Sequence, residues 1–377
     1  MKPKTPPLRK KRVLLITNLT WNVFKFRLPF ITHIKASNLD VDVLAEFDGY
    51  EKNLYKNVNN LFQMRVNSRS INIFSDLRML FRLWQVFKIS NPDLIILYTI
   101  KPCIYGSIVA RLMGIPVIIN ITGMGSGFLK GGLIAQGILF LYKIGIGKNA
   151  QVVFQNQDDQ ELFLRNKIIP QSQANLIQGS GISLEDFPIT TYPKNEEFIF
   201  LMIARLIKDK GIGEYIEAAK IVLTKLSNVK FQILGKIDQS AHSDFSKEYI
   251  EVLQAKKIIE YLGESDDVKK YIITADCIVL PSYREGTSKA LLEGHAMGRP
   301  LIATNVSGCK EIILNNLSGL LCKPQDSSDL ASMMLQMMGK SRAERAEMGI
   351  LGREKVKNEF SEEIVFSQMS QLISKMI

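Results

Sequence analysis

At 377 residues, with 46% apolar side chains and no low-complexity tract, the chain is long enough for two domains and too apolar for a disordered protein. Its net charge of +11 is unevenly placed: residues 1–190 hold 23 Lys and Arg against 12 Asp and Glu, whereas residues 191–377 hold 25 of each. A basic half of this kind attracts an anionic membrane surface or another polyanion, nucleic acid being the competing partner.

Cys103, Cys277, Cys309 and Cys322 have no C-x-x-C spacing and fall in apolar contexts, so they read as reduced core thiols of a cytosolic protein, not zinc ligands or disulfides. The basic start, MKPKTPPLRKKR, lacks the apolar stretch of a signal peptide. No window reaches the roughly 18 uncharged apolar residues of a spanning helix. The chain is expected to be soluble or to lie on a membrane.

Residues 12–18 (RVLLITN) predict a strand, followed by a loop and a helix containing FRLPFITHIKAS; residues 41–47 (VDVLAEF) predict a second strand. Asp40-Val41-Asp42 has the D-x-D form of a metal site but begins a strand, where such a motif should end one. Residues 74–90 predict an amphipathic helix with Leu77, Leu80, Phe81, Trp84 and Phe87 inward and Arg78, Arg82 and Lys88 outward. PDLIILYT, GSIVARLMG and PVIINITG continue as strand, helix and strand. The loop from Thr122 to Gly132 is glycine-rich, and Leu133–Gly147 reads as a core helix or an interfacial one. After a polar linker at 192–197, the alternation repeats: EFIFLMIARL, GIGEYIEAAKIVLTKL, VKFQILG, KKIIEYLG and DDVKKYIITA, with last strands at 301–305 and 318–322. Such alternation argues for parallel sheets covered on both faces, an α/β fold. A final helix, capped by Ser361, carries Val365, Met369, Leu372, Ile373 and Met376 on one face.

The stretch from Ala275 to Gly298 holds the densest chemistry. A buried strand (Cys277–Leu280) runs through a polar turn into a helix that Thr287 or Ser288 can cap. A strand, a small-residue turn and a helix N-terminus together make an anion site. Glu285 and Glu293 bracket it, with seven residues between them, and can accept hydroxyl protons from a sugar carried on a diphosphate. Upstream, Arg205 ends a strand with Lys208 and Lys210 just beyond, a spacing that can clamp a diphosphate from two sides.

PSYREGTSKALLE and GRPLIATNVSGCKEII resemble the donor-site signature of the retaining glycosyltransferase family 4. They are most like its bacterial members that extend polyprenyl-diphosphate-linked sugars, such as the N-acetylgalactosaminyltransferases of N-glycan assembly. The resemblance implies a GT-B fold: two Rossmann-like domains facing each other across a cleft, here residues 1–188 for the acceptor and 189–358 for the nucleotide sugar. Residues 359–377 would then be a helix crossing back to the first domain. It implies that Arg205 and Lys210 bind the donor diphosphate, Glu293 the ribose and Glu285 the donor sugar ring. The backbone of Gly286, Thr287 and Ser288 takes phosphate, and the base lies near Gly235-Lys236 and Tyr261-Leu262. Glu285, Arg205 and Lys210 are the expected catalytic groups.

Many family members place a His on the loop corresponding to about 120–125, where this chain has Asn120, Ile121, Thr122, Gly123, Met124 and Gly125. His33, His242 and His295 do not fill that role: His33 reads as a surface residue and His295 as a packing one. The vacancy suits a mechanism in which the leaving diphosphate takes the acceptor's proton, with no metal and no cofactor beyond the donor. FKFRLPF and the glycine-rich loop resemble the lipid-linked branch, so Arg27, Lys101, Thr122, Gly123 and Gly125 are expected at the acceptor diphosphate. Arg78, Arg82 and the N-terminal Lys/Arg cluster are expected at lipid head groups.

The function expected is transfer from a UDP-sugar to a polyprenyl-diphosphate-linked saccharide in lipopolysaccharide, O-antigen, capsule or protein-glycan assembly, on the cytoplasmic face of the cell membrane. A transferase with a soluble acceptor, or a basic nucleic-acid or membrane-binding protein without catalysis, is the alternative. The nucleic-acid reading is set aside because the aromatics of the basic helices are expected on their buried faces.

Overall fold

The computed structural model describes residues 9–65, 73–124, 132–237 and 245–377. Gly125, His242 and the basic residues before Arg9 lie outside them. The chain divides into a first unit, Met1–Ser180 with Val365–Ile377, and a second, Gly181–Ile364; the sequence reading places the boundary at 188/189.

The first unit is built on seven parallel strands: β1 Arg12–Leu19, β2 Asp40–Glu46, β3 Asn60–Gln63, β4 Leu94–Tyr98, β5 Val117–Ile121, β6 Ala150–Phe154 and β7 Ala174–Leu176. Their order is β3-β2-β1-β4-β5-β6-β7. Short runs such as LIILY and VIINI are buried throughout, as parallel strands are when helices cover both faces. On one face lie α1 Thr20–Phe26, α2 Leu28–Ala36 and the last helix of the chain. On the other lie α3 Ile73–Ser90, α4 Ile100–Met113, α5 Gly132–Gly145 and α6 Gln157–Arg165. The sheet changes direction between β1 and β4, which makes their carboxyl ends the natural ligand edge.

Several expectations are corrected here. FRLPFITHIKAS does not lie in one helix: Arg27 breaks it (φ −122°), because Pro29 cannot donate to the carbonyl one turn back. Strand β3 lacks a strong apolar run and was not foreseen. Asp40 and Asp42 pair with Arg12, at 3.5 and 3.8 Å, and Asp42 also accepts from Asn60 and from Ser90 Oγ (2.6 Å), so the D-x-D pins β1, β2 and β3 together. Arg9 and Lys11 of the basic N-terminal cluster converge on Asp93.

The largest correction concerns α3. Its buried stripe is Met79, Leu83, Val86 and Phe87, while Leu77, Phe81 and Trp84 face outward with Phe74. The helix carries two apolar stripes, and periodicity cannot say which one the sheet takes. Arg78 and Lys88 are exposed as expected, and Arg82 is half-buried.

The second unit has six parallel strands in the order β10-β9-β8-β11-β12-β13. They are β8 Phe198–Ile203, β9 Val229–Leu234, β10 Glu260–Tyr261, β11 Cys277–Leu280, β12 Leu301–Thr304 and β13 Gly319–Cys322. Helices α7 Ile212–Leu223, α8 Lys247–Ala255, α9 Lys269–Thr274, α10 Lys289–Ala296, α11 Ser327–Gly339 and α12 Arg342–Glu359 complete it. Here the direction changes between β8 and β11. Helix α13, Glu362–Met376, places Val365, Phe366, Met369, Leu372 and Ile373 in the core of the first unit, with the Phe366 ring 5.3 Å from that of Phe30. No described helix is long and apolar enough to cross a membrane, and the four cysteines are free and buried.

Candidate active site

The loops leaving β8 and β11 meet at the second unit's change of direction. The β11 loop is tied down residue by residue: Ser282 Oγ donates to the carbonyl of Asp209 at 3.1 Å, the Tyr283 amide donates to the same carbonyl at 2.9 Å, and Tyr283 Oη donates to Glu214 at 2.7 Å. Burial, with that hydrogen bond to Glu214, holds the Tyr283 phenol above its usual range. The result is one short contact between the two loops: Lys210 Nζ donates to Glu285 Oε1 at 2.5 Å, with both side chains mostly shielded. Arg205, just past the end of β8, is exposed, and its carbonyl accepts from the Ile207 amide at 2.8 Å, while its guanidinium has no hydrogen-bond or ion-pair partner among the described residues. Lys208 is also exposed.

Backbone close to Glu285 is set by Gly308. Its φ is +79°, and a Cβ there would lie 2.5 Å from the carbonyl group of Glu285, so only glycine fits. Around it, the Glu285 amide donates to the Ser307 carbonyl (3.0 Å) and the Ser288 amide to the Gly308 carbonyl (3.1 Å), while Glu311 accepts from the Gly308 amide (2.7 Å). Ser288 caps α10, its hydroxyl accepting from the Leu291 amide. Glu293, 7% exposed, stands on that helix, 4.0 Å from Lys289. Gly286, Thr287 and Ser288 thus form the turn between Glu285 and the helix.

The ends of β8, β9 and β10 are knitted by backbone groups and one tyrosine hydroxyl. The Gly235 amide donates to the Gly263 carbonyl, the Leu206 amide to the Lys236 carbonyl, and Tyr261 Oη to the Gly235 carbonyl. A Cβ on Gly235 would sit 1.8 Å from the Ala204 carbonyl oxygen. Gly235, Lys236 and Leu262 therefore share one strand-end edge with Arg205. The sequence does not reveal the Asp209–Tyr283–Glu214 link or the Ser307–Gly308 support, because these are loop contacts without periodic pattern.

In the first unit, Arg27 lies at the α1–α2 break, its guanidinium 3.9 Å from the ring centroid of Tyr98, the last residue of β4. Burial lowers its pKa, and no carboxylate pairs with it among the described residues. Lys101 is in the first turn of α4 and is ion-paired with Asp76 at 2.5 Å, so its charge is already matched. Asp76 also takes a hydrogen bond from Tyr105, and burial together with that bond raises the Tyr105 pKa. Thr99, between Tyr98 and α4, has φ +67° and a buried hydroxyl without a hydrogen bond. Thr122 and Gly123 follow β5 on the same edge. Tyr98, Asp76 and Thr99 carry no motif that sequence alone would single out.

Neither described histidine is placed for base chemistry. His295 is fully buried between the Arg299 carbonyl (Nδ1, 3.0 Å) and Ser318 Oγ (Nε2, 3.2 Å), and burial lowers its pKa to about 4. His33 lies 3.0 Å from Ser370 Oγ of α13. No cluster of three or more metal-ligating side chains occurs among the described residues.

Two family models divide the chain between them: glycosyl transferases group 1 matches residues 186–355, and glycosyl transferase 4-like matches residues 12–156. The chain is a glycosyltransferase, a 4-like domain followed by a group 1 domain. This transferase is 28% identical over 337 residues, 85% of its chain and 87% of the relative, to the N,N'-diacetylbacillosaminyl-diphospho-undecaprenol alpha-1,3-N-acetylgalactosaminyltransferase of Campylobacter jejuni. It is 25% identical over 285 residues, 71% of its chain and 72% of the relative, to the UDP-Gal:alpha-D-GlcNAc-diphosphoundecaprenol alpha-1,3-galactosyltransferase of Escherichia coli. Its fold matches Alr3699/HepE of Anabaena, crystallised with UDP and glucose, with a TM-score of 0.78 at 16% identity over 96% of this chain and 99% of that one. The architecture is GT-B, with two Rossmann-like units.

Proposed function

We propose that this glycosyltransferase moves a sugar from a nucleotide donor, a UDP-N-acetylhexosamine or UDP-hexose, to a polyprenyl-diphosphate-linked saccharide, with retention of anomeric configuration. The product belongs to bacterial surface polysaccharide or glycan assembly. The observation that carries the reading is the Lys210–Glu285 pair at the β8/β11 change of direction, with Arg205 exposed beside it and Glu293 on the capped helix beyond. The names of the relatives, both acting on diphosphoundecaprenol-linked sugars, support the acceptor class. A UDP complex of the same fold supports the donor class.

The chemistry follows from the charges. A donor diphosphate competes with Glu285 for Lys210 and adds Arg205, while Glu285 turns to the hydroxyls of the sugar and Glu293 to the ribose. As the bond from the anomeric carbon to the phosphate oxygen breaks, negative charge grows on that oxygen, next to two fixed cations and a helix N-terminus. The acceptor oxygen bonds to the same face of that carbon, and its proton passes to the departing diphosphate, so no histidine base is needed. Two cations meet the diphosphate charge, so the reading needs no metal. In the first unit Arg27 is the stronger partner for the acceptor's diphosphate, because Lys101 must first leave Asp76. The enzyme works at the cytoplasmic membrane face as a peripheral protein.

The test is nucleotide release from a panel of UDP- and GDP-sugars, with and without membrane lipid extract, by wild type, Glu285→Ala and Lys210→Ala. One donor should give lipid-dependent release that both variants lose. Release that ignores lipid would move the acceptor to solution, and no binding or turnover of any donor would contradict the donor site.

A further inference from the structure

The loops that leave β8 and β11 are joined by more than the Lys210–Glu285 pair. Lys210 ends a short turn, Lys208–Lys210, and α7 starts two residues later. The two backbones meet at Gly211, where an added Cβ would lie 2.0 Å from the Pro281 carbonyl oxygen. Ser282 and Tyr283 both donate to the Asp209 carbonyl, and the Ser282 carbonyl in turn accepts from Thr304 Oγ1 of β12. The turn that carries Lys210 is thus anchored, through one carbonyl, to the sheet.

A second side-chain link crosses the same two loops. Tyr283, two residues before Glu285, reaches Glu214, four residues after Lys210, with Oη 2.7 Å from Oε1. A phenol donating to a carboxylate makes a charge-assisted bond, stronger than one between neutral groups. Both side chains are half-buried, and burial with this bond raises the phenol's pKa, so Tyr283 remains a donor through neutral and mildly alkaline pH. Neither residue takes part in the transfer step proposed above.

This link matters most when the other one opens. Without a donor, the Lys210–Glu285 bond itself holds the two loops at their spacing. A diphosphate that draws Lys210 away removes that bond, and a flexible lysine and a freed carboxylate lose their reference to one another. The same diphosphate is an anion and does not compete for Glu214. We propose that Tyr283 and Glu214 are positioning residues of this transferase: their hydrogen bond keeps the Lys210 turn in register with the Glu285 loop while a donor holds the two side chains apart. The inference rests on the reading that a nucleotide sugar binds between Lys210 and Glu285.

The test is nucleotide release from UDP-sugars with lipid extract, together with binding of UDP alone, in full-length variants. Tyr283→Phe keeps the ring and removes only the hydroxyl. Its kcat should fall about ten- to a hundredfold, with donor KM and UDP affinity within about threefold of wild type. Glu214→Leu should lose as much, and Glu214→Gln, whose amide oxygen still accepts, should recover most of it. In a Lys210→Ala background Tyr283→Phe should cost nothing further, because the register it keeps then has only one end. If Tyr283→Phe does not fold, Glu214→Leu and Glu214→Gln carry the same comparison. Wild-type kcat in Tyr283→Phe beside an impaired Lys210→Ala overturns the inference and leaves the transferase reading standing. Full additivity with Lys210→Ala, or a joint loss of kcat, UDP affinity and unfolding midpoint, makes the link mere scaffold and overturns it as well. Unimpaired release by Lys210→Ala overturns the donor reading, and the inference with it.

Discussion

Lys210 and Glu285 share one hydrogen bond, yet a bound donor would set them opposite tasks. Lys210→Ala removes a cation placed where charge develops, so kcat should fall by a factor of about 10²–10³ with a smaller change in donor affinity, as steady-state kinetics will show. Glu285→Gln keeps the shape, removes the competitor for Lys210 and should leave nucleotide binding intact while transfer falls; equal loss of both would place Glu285 in the scaffold. Gly308→Ala tests the support beneath Glu285. Its left-handed backbone and the 2.5 Å approach to Glu285 predict a loss of about 1–3 kcal/mol in denaturant unfolding, with transfer reduced besides. The positions of Arg205, Lys210, Glu285 and Glu293 stand out in the sequence because a motif spaces them, and the roles proposed for them rest on that motif. Gly308 stood in sequence beside that motif, but only coordinates show what its missing side chain avoids.

Buried His295 sets a pH dependence at the same scale. Its folded pKa is near 4 against an ordinary value near 6.5, so the unfolded chain binds a proton that the folded chain refuses. The group's contribution is therefore fully present above about pH 6.5 and is lost progressively as pH falls toward 4, on the order of 3 kcal/mol in all. Urea midpoints should drop between pH 7 and pH 5, and more steeply in wild type than in His295→Gln. Equal slopes would show that the histidine is not what resists protonation.

At the scale of elements, α3 shows where sequence reading stops. Both Met79-Leu83-Val86 and Leu77-Phe81-Trp84 have helical spacing, and the choice between them depends on the sheet beneath. Leu83→Ala should cost about 2–5 kcal/mol as a buried truncation, whereas Phe81→Ala should leave the unfolding midpoint unchanged; a reversed pattern would restore the inward placement of Phe81. The outward aromatics also remove the ground on which nucleic acid was set aside. Strand assignments fared better because parallel strands buried on both faces leave unbroken apolar runs, such as LIILY and CIVL. β3, at a sheet edge with half-buried side chains, leaves none.

For the whole molecule, two repeats of strand and helix alternation were enough to foresee two parallel sheets, since only helices on both faces can cover them. The final helix was foreseen through its apolar face, and its partners Phe30 and His33 came from the structure. Deleting residues 365–377 should lower the unfolding midpoint of the first unit, because Phe366, Met369 and Leu372 leave its core, with the second unit's transition unmoved. Limited proteolysis along a thermal ramp separates the two; simultaneous loss would contradict the assignment of this helix to the first unit. The central claim is transfer of one sugar onto a diphosphate-linked lipid saccharide. Its most direct measurement is mass spectrometry of the lipid-linked saccharide pool after incubation with the UDP-sugar that supports nucleotide release. One lipid species heavier by a single sugar residue is expected, α-linked if the donor is α, and absent with Glu285→Ala. Free sugar and nucleotide with an unchanged lipid pool would contradict it.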